Sequence, residues 1–316
     1  QAAIDSARVE SGAVLELRDE VHTEAGIEVG KDVTIRGLGP EATIVQAHET
    51  LEESPERVFS IPQGVTVVIK SLTVRHGWPS NEAGHGGGIE NYGNLTLRDC
   101  HITANSARGG GGVYLNASHP VFRDCEFVSN STAGIGGGVS MYASTATFER
   151  CTFAENQAAN GAGIFVYHAE ASFVDCLITD NHGTGTSLGA VYAYASDIVL
   201  ERCEIVANAA FTGAAVAGWS GSSIALDHCR IEGNQAYADL AAIRLAFDTE
   251  FEAVWTVFAA NEGGDGHVAS DCQALLVCCD TDPEAWIGDG GIVFDNSDCA
   301  VATDRASWTD VRDLFR

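Results

Sequence analysis

The stretch CEFVSNSTAGIGGGVSMYASTATFERCTFAEN, residues 125–156, holds one full repeat unit and the start of the next. It opens on Cys125-Glu-Phe-Val-Ser-Asn130 and closes on Cys151-Thr-Phe-Ala-Glu-Asn156, the same pattern 26 residues later. Between them lies a small-residue turn, Gly136-Gly-Gly-Val139, followed by the period-two alternation Ala146-Thr-Phe148. Alternation interrupted by glycine- and asparagine-bearing turns is the pattern of short strands, not of helical repeats.

The unit recurs on both sides. Cysteines stand at Cys100, Cys125, Cys151, Cys176, Cys203 and Cys229, stepping by 25, 26, 25, 27 and 26 residues. Each is followed five residues later by an asparagine: Asn105, Asn130, Asn156, Asn181, Asn208 and Asn234. A seventh unit ends at Asn261 with Thr256 in the cysteine slot, and an earlier cysteine-free unit runs through Val67, Ile69, Leu72 and Val74. The glycine turn recurs in a second phase as Gly86–Ile89, Gly110–Val113, Gly161–Ile164, Leu188–Val191, Gly213–Val216 and Leu240–Ile243.

A repeat of this length, made of strands, predicts an all-β fold: a single-stranded parallel β-helix, a solenoid with 24–28-residue coils. Equivalent strands of successive coils pair in parallel at about 4.8 Å, so each buried position becomes a column of like residues. The cysteines form one such inward column, as compact buried hydrophobes. The asparagines form another at a turn, where left-handed backbone and side-chain-to-backbone bonds suit them. Both ladders are structural expectations. One domain is expected over residues 1–316, with an N-terminal cap over 1–11, coils over 12–270, and an irregular C-terminal coil and cap over 271–316. Cys272, Cys278, Cys279 and Cys299 break the ladder spacing, and at least one disulfide is expected among them in a secreted protein.

Composition limits the partners. Asp plus Glu number 44 against 17 Lys plus Arg, a formal charge of −27. That field repels phosphate backbones, so no nucleic acid partner is expected. No run of 18 apolar residues occurs, so no membrane-spanning helix is expected in this chain. The glycine runs lack the Lys-Ser/Thr ending of a phosphate-binding loop, and no Gly-x-Ser-x-Gly elbow is present. No cofactor is required; calcium is left open by Asp280-Thr-Asp282 and Glu262-Gly-Gly-Asp265, which lack EF-hand spacing and read more simply as polar turns.

The Gly-Gly-Gly-Ile/Val turns and the Phe127–Asn130, Phe153–Asn156 and Phe258–Asn261 elements resemble repeats of chlamydial polymorphic outer-membrane proteins. The opening Val33-Thr-Ile-Arg-Gly-Leu-Gly-Pro40 and Gly64-Val-Thr-Val are similar to pectate-lyase-like proteins. The resemblance covers about residues 10–270. It implies a right-handed solenoid and an extracellular or cell-surface location, in a group whose members include adhesins, lyases and glycosidases.

Counting outward from each glycine turn puts Tyr92, Asn116, Tyr142, Tyr167, Tyr194 and Trp219 in one register, and Glu90, Tyr114, Ser140, Phe165, Tyr192, Ala217 and Arg244 in a second. Aromatics repeated on successive rungs suit an extended glycan or a surface protein, and equally suit stabilisation of the face itself. Tyr142, Tyr167, Tyr192, Tyr194 and Trp219 are the expected ligand-binding residues. His168, Glu170, Asp197, Arg244 and Asp248 lie near enough in sequence to serve a glycoside hydrolase or polysaccharide lyase. Three functions are therefore carried forward: a surface module binding an extended glycan or surface partner, a carbohydrate-cleaving enzyme, and a purely structural or adhesion scaffold.

Overall fold

A computed structural model describes residues 11–80, 84–238 and 241–296. The expected N-terminal cap over residues 1–11 falls almost wholly outside them, as do Leu240, Cys299 and the expected terminal cap from Trp308 to Arg316.

One rung shows how the sequence becomes a coil. Val139–Tyr142 lies in an eleven-stranded sheet, Thr145–Glu149 and Thr152–Ala154 in a twenty-stranded sheet, and Gln157–Asn160 in a six-stranded sheet. The chain then re-enters the first sheet at Ile164–Tyr167, directly beside Val139–Tyr142. Every strand pairing among the described residues is parallel, and register follows the repeat: Phe122↔Phe148, Phe127↔Phe153, Val139↔Ile164. The result is an all-β parallel β-helix whose coil spacing matches the sequence repeat.

The corners are made by left-handed residues, and in this rung they are Ala143 (φ 44), Arg150 (φ 52), Glu155 (φ 56) and Gly161 (φ 58). Three of the four are not glycine, so positive φ alone does not demand it here. The fourth corner does, for a different reason. A Cβ on Gly136, the same corner one coil earlier, would lie 2.4 Å from the carbonyl oxygen of Val139. Gly136→Ala is expected to lower stability by about 1–3 kcal/mol, the range for overpacking a filled site. Ala143→Gly, at a corner that tolerates a side chain, should move the denaturation midpoint far less; equal effects would contradict the steric account.

The interior is a set of columns. Phe122, Phe148 and Phe173 stack with centroids 4.7 and 4.8 Å apart, and Phe127 and Phe153 stack at 4.8 Å. The six repeat cysteines are buried free thiols. Cys151 N–H donates to Cys176 Sγ at 3.4 Å, and the Cys151 thiol donates to Glu149 O at 3.4 Å. Hydrogen bonds with the Cys125 and Cys176 thiols, and then burial, push the Cys151 thiol up from its ordinary value, so it is not a thiolate. Asn105, Asn130, Asn156, Asn181, Asn208 and Asn234 are all fully buried. Each side chain donates to the Oδ1 of the next, at 2.9–3.2 Å along the column to Asn261.

Two cysteines near the C-terminus need correction. Cys279 does not leave the ladder. The bridge Val257↔Asp280 places it one rung beyond Thr256, and its thiol donates to Ala253 O and Val277 O just as Cys229 donates to Leu200 O and Asp227 O. Cys272 belongs to another column, accepting from Thr249 N–H at 3.4 Å. Both are free thiols, whereas Cys278 is disulfide-bonded. Within the C-terminal segment two strands continue the twenty-stranded sheet: Gln273–Val277 pairs with Glu250–Val254, and Gly291–Asp295 pairs with Gln273–Val277. A shortened coil, 23 residues from Thr256 to Cys279, hid the register.

Candidate functional site: an aromatic stripe on the eleven-stranded sheet

The outer surface of the eleven-stranded sheet carries both sequence columns in register. Asn116 pairs with Tyr142, Tyr142 with Tyr167, Tyr167 with Tyr194 and Tyr194 with Trp219. Ring centroids are 5.1 Å apart for Tyr142–Tyr167 and 5.3 Å for Tyr167–Tyr194, with interplanar angles of 42° and 20°. The Tyr167 and Tyr194 rings are stacked and the Tyr142 ring is tilted against Tyr167, so the run forms one continuous aromatic edge. All three tyrosines and Trp219 are half-buried, and Phe247, whose ring lies 5.8 Å from Trp219, is 56% exposed.

The second column lies beneath this edge. Phe165, Tyr192 and Ala217 form a small apolar cluster outside the main core, walled by Ile135 and Leu188. Tyr192 is 7% exposed and meets Trp219 edge-on at 6.1 Å. It supports the stripe from below instead of presenting a surface, which distinguishes it from Tyr142, Tyr167, Tyr194 and Trp219. Burial pushes both the Tyr142 and Tyr192 phenols up to about 12, so each stays neutral and can donate. Arg244 follows Ala217 in the column, its guanidinium carbon 5.8 Å from the Trp219 ring centre, and His267 follows on the next rung. Arg244 donates to Leu245 O at 3.1 Å, and burial lowers its pKa from the ordinary arginine value.

Past the stripe the chain turns a corner, and here a column appears that was not singled out from sequence. Ser118, Ser144, Ser196, Ser222, Thr249 and Cys272 occupy one buried line. Ser144 and Ser196 donate to the carbonyls of Tyr142 and Tyr194 at 2.8 Å, and Ser196 N–H donates to Ser222 Oγ at 3.2 Å. The ladder holds the backbone at Tyr142, Tyr194 and Trp219; on the Tyr167 rung Ala169 takes the serine's place, and its N–H donates to Ser196 Oγ at 3.1 Å. Its signal was available: a serine two residues after Asn116, Tyr142 and Tyr194, and three after Trp219.

Next to it runs an exposed polar row, in which Thr145 pairs with Glu170, Glu170 with Asp197, Asp197 with Ser223 and Ser223 with Glu250. A shallow depression between the row and the stripe is lined by Ser144, Thr145, His168, Glu170, Ser196 and Asp197. His168, Glu170 and Asp197 are thus brought together, with the His168 ring edge-on to Tyr167 at 4.3 Å. Arg244 and Asp248 are not part of this depression. Asp248 stands exposed in the Phe247 corner, at φ 59.

At the other end of the sheet a second polar group was only half seen in the sequence. Glu90, in the second column, forms an ion pair with Arg57, with side-chain exposures of 10% and 17%. Tyr92 Oη donates to Glu90 Oε1 at 3.2 Å, and His85 stacks on Tyr114 at 4.5 Å. Arg57 escaped notice because it ends the acidic loop between Ile44–Gln46 and Phe59–Ile61, with no repeat to place it.

For calcium, the described residues contain no group of three or more His, Cys, Asp or Glu placed to hold a metal ion. Asp265 is already engaged: it accepts from Asn261 Nδ2 at 3.0 Å and Thr281 Oγ1 at 2.6 Å, closing the asparagine ladder.

A family model described as right handed beta helix region matches residues 58–190. The fold is a right-handed parallel β-helix. The matched part of the helix holds Tyr92 to Tyr167 of the stripe, and the strand pairings carry the same coil onward through Trp219 and beyond. Among solved structures, the helix is similar to the mannuronan C-5 epimerase AlgE4 A-module of Azotobacter vinelandii, with 13% identity, 94% of this chain and 93% of that chain covered, and a TM-score of 0.41. No curated protein matches the chain.

Proposed function

We propose that this β-helix is an extracellular or cell-surface module that binds an extended glycan along the stripe, with the glycan chain parallel to the solenoid axis. The observation that carries this reading is the in-register, half-buried run Tyr142, Tyr167, Tyr194 and Trp219. Its half-buried rings offer apolar contact to sugar C–H groups, and its tyrosine hydroxyls can offer hydrogen bonds on rungs about 4.8 Å apart. The stripe side chains are held by packing on the Phe165, Tyr192 and Ala217 cluster, so little side-chain entropy is lost when a ligand docks.

Cleavage of the bound chain is a second reading, favoured by one feature. Glu170 and Asp197 sit on adjacent rungs beside the stripe, and adjacent rungs are about 4.8 Å apart, near the carboxylate separation of retaining glycosidases.

A polysaccharide panel, with and without calcium, tests both readings when scored for retention and for released oligosaccharide. Tyr167→Ala and Trp219→Ala are each expected to weaken retention about tenfold, equivalent to about 1.4 kcal/mol. Retention unchanged in both folded variants would make the stripe structural. Product formation lost in Glu170→Gln or Asp197→Asn would establish the cleaving reading.

A further inference from the structure

The stripe has two unlike ends. Towards Trp219 and Phe247 it is open and apolar. Towards the N-terminus the aromatics stop at Tyr92, because the preceding rung places Ser60 beside Glu90 and puts Pro62 next in line. At that stop sits the Arg57–Glu90 pair, reached by an arginine from a loop rather than from the repeat.

A nearly buried ion pair on the outside of a sheet gives the fold little. Desolvating both charges offsets most of their attraction, and an apolar pair of similar size is often as stable or more so. The pair is also incompletely used within the chain, since Arg57 Nε is buried and has no hydrogen-bond partner among the described residues. Around it the polar atoms are held in place. Tyr92 donates to Glu90, and Asn116 Nδ2 donates to Tyr114 Oη at 3.3 Å.

We infer that Arg57, Glu90 and Tyr92 form a terminal subsite of the stripe, which hydrogen-bonds a pair of hydroxyls on a neutral sugar ring and sets the register of the glycan chain. This rests on the reading that the stripe binds a glycan. An arginine–carboxylate pair offers donors and acceptors side by side, and a sugar hydroxyl both donates and accepts. The charge of Arg57 is already matched by Glu90, so a uronate would have to displace Glu90 while remaining next to it. An amino sugar meets the same objection from the other side. The formal charge of −27 also disfavours a polyanion. A neutral glycan is the class that fits.

The test uses the whole chain and four hexasaccharides: β-1,4-linked glucose, xylose and N-acetylglucosamine as neutral probes, and oligogalacturonate as the anionic one. Binding is measured by titration calorimetry for wild type, Tyr167→Ala, Glu90→Gln and the double variant Arg57→Met/Glu90→Leu. The double variant removes both charges together and keeps the fold measurable even where Glu90→Gln alone leaves Arg57 unpaired and unfolds the chain. At least one neutral probe is expected to bind wild type, with affinity falling at least about tenfold in Glu90→Gln and in the double variant, as for hydrogen bonds to charged groups. The melting temperature of the double variant should not fall. Binding lost in Tyr167→Ala but unchanged in both Glu90 variants would overturn this subsite and leave the stripe reading intact. Binding lost in the Glu90 variants but unchanged in Tyr167→Ala would support the polar site and overturn the stripe. Wild type binding only oligogalacturonate overturns the subsite, and binding none of the four overturns both.

Discussion

Replacing Asn156 with leucine is expected to lower the stability of the folded chain by about 2–6 kcal/mol, because two buried backbone groups lose their partners at about 1–3 kcal/mol each. The Asn156 carboxamide accepts from Asn130 N–H at 3.0 Å and donates to Phe127 O at 2.8 Å. It also accepts from Asn130 Nδ2 at 3.1 Å and donates to Asn181 Oδ1 at 3.0 Å. A leucine of similar bulk satisfies none of these, and full burial leaves no water to replace them. The same substitution at Asn261, which is only partly buried at the end of the column, should cost less. Chemical denaturation of both variants checks the ordering. An unchanged midpoint for Asn156→Leu, or a larger shift for Asn261→Leu, would show that the ladder is not carrying backbone bonds as described.

Cys151→Asp should be comparably damaging at neutral pH, about 3–5 kcal/mol, the cost of an uncompensated buried charge. Cys151 is 1% exposed between Cys125 and Cys176 in an otherwise apolar column. Burial raises the pKa of a carboxyl in such a place, so the folded value lies above the unfolded one of about 3.9. The sign follows. Below the unfolded pKa both states are protonated, and only the cost of a neutral polar group remains. As pH rises above about 4 the unfolded chain ionises first and stability drains away until the folded pKa is passed. The difference in unfolding free energy between wild type and variant should therefore widen from pH 4 to pH 7. A pH-independent difference would place residue 151 in contact with water, and the cysteine column would not be core. Cys151→Ser is the mild control, since its hydroxyl can reuse the bond to Glu149 O.

The legible parts of this molecule are those where position repeats. Cysteine, asparagine and tyrosine recurring every 25–27 residues place each rung against the next, because parallel pairing aligns equivalent residues and leaves register almost no freedom. Where the coil length slipped, the reading slipped with it. Cys279 looked like an end cysteine because its coil is short, and only the pairing Val257↔Asp280 returns it to the column. The serine ladder was missed for a chemical reason: Ser118 and Ser144 read as ordinary turn residues until their partners one rung away are known. Arg57 was invisible because it belongs to no repeat.

By itself, the sequence determined the architecture, the order of the rungs, which residues share a column, and the net charge. These follow from periodicity and composition, which are properties of the chain before it folds. Only the tertiary structure decided which outward aromatics remain at the surface. Tyr192 and Tyr194 are two residues apart on one strand and point to the same side of the sheet, yet Tyr192 lies under the Leu188 and Ile135 wall while Tyr194 reaches the edge. Alternation along a strand selects a face, but burial depends on what the neighbouring sheet and corner place over that face. The same limit hid the pairing of Arg57 with Glu90, 33 residues away, since an ion pair between a loop and a rung is written in no local pattern.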